Sequence, residues 1–157
     1  MKKIFFAALA LISCSYISAK EVEIKIYQTS DVHGSYFPYD FITGQPLPGS
    51  LARVSTVINK AREKYGDNVL LIDNGDILQG QPTVYYYNYI DTVLPHITSE
   101  IMNYMKYDAG NVGNHDVETG RVTLDRWASQ CEMPVLGANI IDTATGKPHF
   151  KPYEVFE

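Results

Sequence analysis

Four consecutive residues, Gly113-Asn114-His115-Asp116, make little sense as packing and good sense as chemistry. Asn114 offers a neutral amide oxygen, His115 an imidazole and Asp116 a carboxylate, beside a glycine that lets the backbone turn sharply. Such a set can hold a cation and an anion together. Any one of these residues alone is more often a turn residue bonded to its own backbone. The four in a row have random odds on the order of one in a thousand per chain, and two further clusters keep them company. Asp31-Val32-His33 places a carboxylate and an imidazole two apart in an extended loop, so both can point to one side and grip one cation. Gly75-Asp76, followed by Gln79-Gly80, adds a second carboxylate between glycines.

Together these clusters suit a pair of divalent ions ~3.5–4 Å apart, the clamp that stabilises the attacking and the leaving oxygen in phosphoryl transfer. Such a pair needs a bridging anion, and Asp76 can offer one oxygen to each ion. Asp31 and His33 then complete one ion's protein shell. Asn114 serves the other, where a neutral amide leaves more positive charge for a phosphate. His115 cannot easily bind the ion that Asn114 holds, so it is free to face the phosphate and protonate the leaving oxygen. Asn114 and His115 are therefore the residues expected to meet the substrate. An acidic neighbour, Asp116 or Glu118, would orient the ring and keep it protonated. Zn, Mn, Mg and Ca all remain open as the metal.

The elements that must position these clusters follow from hydropathy. Residues 22–27 alternate Val22, Ile24 and Ile26 against Glu23, Lys25 and Tyr27, the period of a half-buried strand. It runs into the Asp31 cluster. Residues 37–50 are rich in Pro and Gly and read as a loop. Over residues 51–65, Leu51, Val54, Val57, Ile58, Ala61 and Tyr65 recur at helical spacing, and Gly66 ends the helix. Val69-Leu70-Leu71-Ile72 is a short continuous apolar run, a strand covered on both faces, and it leads to Asp76. Tyr85-Tyr86-Tyr87-Asn88-Tyr89 reads as tyrosines packing a helix rather than stacking on bases. Ile97, Ile101 and Met105 share a helical face, and a very short strand then enters Gly113. Leu124, Trp127, Ala128 and Cys131 mark another helix, with Glu118 and Thr119 as capping candidates, before a strand over residues 134–140 and a final turn and strand. Strand alternating with helix implies an α/β layered domain, whose ligands gather at the carboxyl ends of its strands. Each polar cluster falls just past a strand, so all three can meet on one rim.

With 157 residues, 45% hydrophobic and 20% charged, the chain has room for one core. Its net charge of -5 leaves no basic footprint for a long nucleic acid. A small anionic substrate remains compatible, because bound dications reverse the local field. Met1-Lys2-Lys3 and the apolar residues 4–12 have the form of a secretory leader, too short to span a bilayer. Cleavage after Ala19 leaves residues 20–157 as a periplasmic or secreted domain. Cleavage before Cys14, in Leu11-Ile12-Ser13-Cys14, resembles the lipobox of bacterial lipoproteins and would make a lipid on Cys14 the membrane anchor. Either way the protein is expected in the cell envelope or beyond. Cys131 is then without an intrachain partner, which excludes a disulfide framework, and it reads as a small core residue on a helix.

Asp-x-His, Gly-Asp and Gly-Asn-His-Asp in this order resemble the first three signature blocks of the calcineurin-like metallophosphoesterases. Their context, Thr29-Ser30-Asp31-Val32-His33-Gly34, Asn74-Gly75-Asp76 with Gln79-Gly80, and Gly113-Asn114-His115-Asp116, is similar to the bacterial 5′-nucleotidase and 2′,3′-cyclic-nucleotide phosphodiesterase branch. The resemblance extends from Ile24 to about Ile140. It implies the N-terminal part of a four-layer α/β/β/α sandwich, export, two metals, and a nucleotide or other small phosphoester substrate held with the help of a separate C-terminal domain. It also implies Asp31, His33 and Asp76 for one metal, Asp76 and Asn114 for the other, and His115 facing the phosphate. In the nucleotidase pattern an Asp three positions beyond that histidine partners it, and Glu118 stands there in this sequence.

The family's remaining ligands, a single His and a Gly-His-x-His block, have no counterpart here. His96, beside Pro95, reads as a helix-start or surface residue, and His149, beside Pro148, as a loop residue. The expectation is that residues 20–157 are an incomplete metallophosphoesterase domain, binding metal poorly and inactive alone. Two other readings stand beside a nucleotide hydrolase. One is a related metallohydrolase acting on a non-nucleotide ester or a sulfur compound. The other is a non-catalytic envelope module that keeps a partial metal site and binds through its tyrosines.

Overall fold

The computed structural model describes residues 21–156, so the leader and Cys14 lie outside the described residues. Four parallel strands form the central sheet: β1 (Lys25–Thr29), β4 (Val69–Asp73), β5 (Ala109–Asn111) and β6 (Val135–Leu136), paired in that order. Two small antiparallel pairs lie outside it, β2 (Tyr39–Asp40) with β3 (Gln45–Pro46) and β7 (Ile141–Asp142) with β8 (Lys147–Pro148). The helices are α1 (Leu51–Tyr65), α2 (Pro82–Tyr85) with a π-helical turn at Tyr86–Ile90, α3 (Ile97–Tyr104), α4 (Asn114–Glu118) and α5 (Arg121–Gln130). Parallel strands joined through helices give the expected α/β class. No helix among the described residues is long and apolar enough to cross a membrane.

The core lies between one face of the sheet and the helices. Val69, Leu71 and Asp73 of β4 point into it, beside Leu51 and Ile58 of α1, Met102 of α3 and Trp127 of α5. Helix α1 occupies the residues its periodicity predicts, and Gly66 closes it at φ +59° with its N–H donating to Arg62 O. Arg62 in turn donates to Met105 O and Lys106 O, so the end of α3 is tied to α1.

Several sequence expectations shift. Strand β1 begins three residues late, and its covered face carries Lys25, Tyr27 and Thr29, while Ile24 and Ile26 are 62% and 64% exposed. The helices cover only one side of the sheet, so Leu70 and Ile72 are half-buried and β4 is not enclosed on both faces. In α3 the fully buried side is Thr98, Ser99 and Met102, with Thr98 bonded to Tyr36, while Ile97 and Ile101 pack partly buried against the core and Met105 is buried just past the helix. Glu118 and Thr119 end α4 instead of capping α5, and Thr119 bonds back to Asp116 O. Residues 134–140 keep only a two-residue strand. Tyr85, Tyr86 and Tyr89 are about half exposed, so the packing role fails for them: Asn88 is the residue of that turn that faces the core. Cys131 sits just past α5, partly buried, its thiol pushed up to about 12 by burial.

His96 is the N-cap of α3 and fully buried. Its Nδ1 accepts from Thr98 N–H and its Nε2 meets Asn88 Oδ1 at 2.8 Å. His149 does lie in a loop, where its Nε2 is 2.6 Å from Asp125 Oδ1.

Candidate metal centre

Because the strands are parallel, β1, β4 and β5 deliver their following loops to the same rim. Loop residues 30–35, 74–81 and 112–114 are then laced together by backbone and carboxylate bonds. Asp31 N–H donates to Gly75 O and His33 N–H to Asp76 O, both at 3.0 Å, and Gln81 N–H returns to His33 O. The second and third loops are joined by Asp116, whose carboxylate accepts from Asp76, Ile77, Leu78 and Gly113 N–H at 2.8–2.9 Å. Burial raises the Asp116 carboxyl above its ordinary value, and those four amides pull it back.

Lacing this tight demands glycine. A Cβ on Gly75 would stand 2.3 Å from Gly113 N, and one on Gly113 would stand 2.2 Å from Asp76 Oδ1. Among the described residues, three of the four non-glycine positions with left-handed backbone are Asp31, His33 and Asp76, at φ +54°, +50° and +59°. Side chains rarely adopt that region, and such residues concentrate where function fixes them. Here the left-handed turns aim the three side chains off the ends of β1 and β4.

One donor atom each from His33, Asp76 and His115 falls within 4.8 Å of the others. His33 Nδ1 lies 3.2 Å from Gln79 O, which leaves Nε2 facing the centre, 4.0 Å from Asp31 Oδ1. His115 Nδ1 is 2.9 Å from Glu118 Oε2, and Gln79 Nε2 donates to that same oxygen at 3.1 Å. The contact with Glu118 raises the His115 pKa above the ordinary imidazole value and lowers that of Glu118. Asp76 Oδ1 accepts from His115 N–H at 2.8 Å, so the carboxylate is oriented before any ion arrives. Asn114 opens α4, exposed, between Gly113 and His115. The donor set fits a divalent cation: carboxylate oxygens, imidazoles with one nitrogen fixed and the other free, and an amide on the rim.

Asp116 takes a different place from the one its position in the motif suggests. Its bonds go to backbone amides and not to the imidazole, so of the two acids offered as the partner of His115, Glu118 is the one in contact. Sequence reasoning passed over Asp73, whose carboxylate is buried between Thr29 Oγ1 and Gly75 N–H and is pushed up to about 6 by that burial. The Asp73-Asn74-Gly75 string carries the signal, a turn whose first residue caps it. Gln79 stood in the sequence only as part of the Gln79-Gly80 motif, with no role of its own, although it touches both His33 and Glu118.

Residues 24–154, which contain every group named above, match the family profile described as calcineurin-like phosphoesterase. The chain belongs to the calcineurin-like phosphoesterase family. Members of this family bind divalent metals, in agreement with the donor set. Among relatives of this calcineurin-like phosphoesterase, a 2′,3′-cyclic-nucleotide 2′-phosphodiesterase/3′-nucleotidase of Yersinia enterocolitica is 31% identical over 154 residues, covering 96% of this chain and 24% of the relative. A 5′-nucleotidase of Vibrio cholerae is 31% identical over 168 residues, covering 100% of this chain and 28% of the relative. The crystal structure of the calcineurin-like phosphoesterase YfkN from Bacillus subtilis superposes with a TM-score of 0.79 at 33% identity, over 88% of this chain and 43% of that one. The chain thus spans about a quarter of the length of the two curated relatives.

Proposed function

We propose that the protein, at full length, is an exported two-metal phosphoester hydrolase acting on nucleotides, of the 5′-nucleotidase or cyclic-nucleotide phosphodiesterase type. The observation that carries this reading is the convergence of His33, Asp76 and His115 at the rim where Asp31 and Asn114 also end. The names of the relatives support the nucleotide class. Asp31, His33 and Asp76 would hold one ion, and Asp76 and Asn114 would contribute to the second. The rest of the second shell would come from residues outside those described. Bound divalent cations supply charge neutralisation for the phosphoryl oxygens and acidify the attacking water.

The chain's own residues do the remaining work. Gln79 O fixes the His33 ring so that Nε2 points at the centre. His115 N–H holds one oxygen of Asp76 in place. Glu118 anchors His115 Nδ1 and stabilises the protonated ring, which leaves Nε2 as the donor that meets the phosphate and protonates the leaving oxygen.

Metal content and turnover of two full-length variants test the division of labour. Asp76→Asn keeps the size of the side chain and a residue tolerant of left-handed backbone, so the loop survives while metal is lost. His115→Ala keeps its metal and loses turnover by about 10²–10⁴-fold, the range for a general acid. A second reading has support in the 4.8 Å cluster, namely that His115 is itself a ligand. It requires His115→Ala to lose metal as Asp76→Asn does. Unchanged metal and activity in both variants contradict either reading.

A further inference from the structure

Gln79 reaches both imidazoles of the candidate centre. Its carbonyl lies 3.2 Å from His33 Nδ1, and its side-chain Nε2 donates at 3.1 Å to Glu118 Oε2, the same oxygen that His115 Nδ1 meets at 2.9 Å. The rings of His33 and His115 stand edge to face with centroids 5.4 Å apart. Gln79 thus holds the first ring directly and the second through a carboxylate. Contact with His115, and after it with Gln79, keeps the Glu118 carboxyl below its ordinary value. An ionised carboxylate only accepts, so the NH₂ end of the Gln79 amide is the one that can meet it.

Glu118 needs such a partner. It is the last residue of α4, a helix of five residues, and its side chain is 55% exposed. A carboxylate at a helix C-terminus faces the negative end of the peptide dipoles, and so short a helix has little stability of its own. Water and other rotamers of the long side chain therefore compete with its contact to His115. Gln79 starts from a fixed base. On one side of it Leu78 N–H donates to Asp116 Oδ1, and Leu78 O accepts from Asn88 Nδ2. On the other, Gly80 packs so close to His33 that a Cβ would stand 2.3 Å from His33 O, and Gln81 N–H donates to that same oxygen at 3.0 Å. With its backbone held on both sides, Gln79 has only side-chain rotamers to lose in gripping Glu118.

We propose that Gln79 is a positioning residue whose side-chain amide clamps Glu118 and, through Glu118, fixes the His115 ring against the leaving oxygen of the phosphoester. The inference rests on the phosphoester reading for the task of His115, and it adds the group that keeps the ring aimed. The His115 Nε2 proton passes to the leaving oxygen as the bond from phosphorus to that oxygen breaks. Gln79 itself touches no reacting atom. Its effect is confined to this proton transfer, and a leaving group that departs as a stable anion has no need of it.

The test compares the full-length protein with Gln79→Ala, which keeps the main-chain carbonyl beside His33 and removes only the clamp. The substrates are a nucleoside 5′-monophosphate, whose alkoxide leaving group needs a proton, and p-nitrophenyl phosphate, whose phenolate does not. The ratio of kcat for the first over the second is expected to fall about fivefold with KM little changed, the effect of one hydrogen bond to a charged group. In a Glu118→Ala background, Gln79→Ala should cost nothing further. A constant ratio, or an equal loss in both backgrounds, overturns the proposal, because a merely structural role moves both substrates and both backgrounds alike. Exchange of the His115 Nδ1 proton with water separates this inference from the phosphoester reading. It is followed by NMR in the full-length protein, the resonance being identified by its loss in His115→Gln. Exchange about fivefold faster in Gln79→Ala supports the clamp even if neither ester is hydrolysed. Equal exchange in both proteins, or a proton exchanging too fast to detect in either, overturns it.

Discussion

Asp116 shows how a motif can name a residue without naming its task. Its carboxylate answers four backbone N–H groups from two loops while fully buried. Replacing it by Ala leaves those donors unpaired in a dry site, and each unsatisfied buried donor costs about 1–3 kcal/mol. We expect Asp116→Ala to lower the urea midpoint of unfolding more than His115→Ala does, although His115 is the catalytic candidate. His96 offers a pH prediction remote from the metal centre. Burial lowers its pKa from 6.5 to about 4, with the Arg126 charge adding to the effect. The unfolded chain therefore takes up a proton below about pH 6.5 that the folded chain refuses until about pH 4. Its contribution is intact above pH 6.5 and is lost as pH falls toward 4, on the order of 3 kcal/mol in all. His96→Gln should flatten the dependence of stability on pH across that window. An equally steep dependence in the variant would remove His96 from the account. The identities of His33, Asp76 and His115 as one cluster were legible in the sequence because each follows an apolar run. What Asp116 does was not, because a motif names residue types and says nothing of which backbone amides lie within reach.

At the scale of elements, the three loops behave as one body because glycines let their backbones touch. Gly113→Ala would push a methyl toward Asp76 Oδ1, which lies 2.2 Å from the ideal Cβ position. The substitution should weaken metal binding at least tenfold while the circular dichroism of the fold changes little, since it displaces a ligand and not a core residue. Retained metal affinity would show that the loop yields elsewhere. Helix α1 was legible to the residue, since fifteen positions of 3.6-residue periodicity and a terminal Gly66 leave little choice. The short strands were less so. Two or three residues carry no period of their own, and the side that a strand such as β1 buries depends on where the helices pack, which local alternation cannot state. The tyrosine run was misjudged for a related reason. One buried Asn88 sets the orientation of the turn, and the aromatic residues follow it outward.

At the scale of the molecule, the sheet has one face packed by helices and another on which Ile26 of β1 is 64% exposed, with Val22 and Ile24, just before the strand, also more than half exposed. A chain spanning about a quarter of its curated relatives leaves ample sequence in such proteins to cover that face. In the full-length protein we expect Ile26→Lys to cost roughly 2–3 kcal/mol, as for an unpaired charge placed in a buried site. A neutral effect on thermal unfolding would mean that the face stays open. The α/β class, the parallel order and the shared rim were all readable from strand, helix and polar cluster in sequence. The open face was not, because covering it is a property of partners in space. The account as a whole stands on a metal centre at this rim, and anomalous diffraction from the full-length protein soaked in Zn²⁺ tests it most directly. The account predicts an anomalous peak about 2.0–2.2 Å from a carboxylate oxygen of Asp76 and from Nε2 of His33, and its absence from crystals of Asp76→Asn. A rim without density in the wild-type crystals, or an equal peak in the variant, would contradict it.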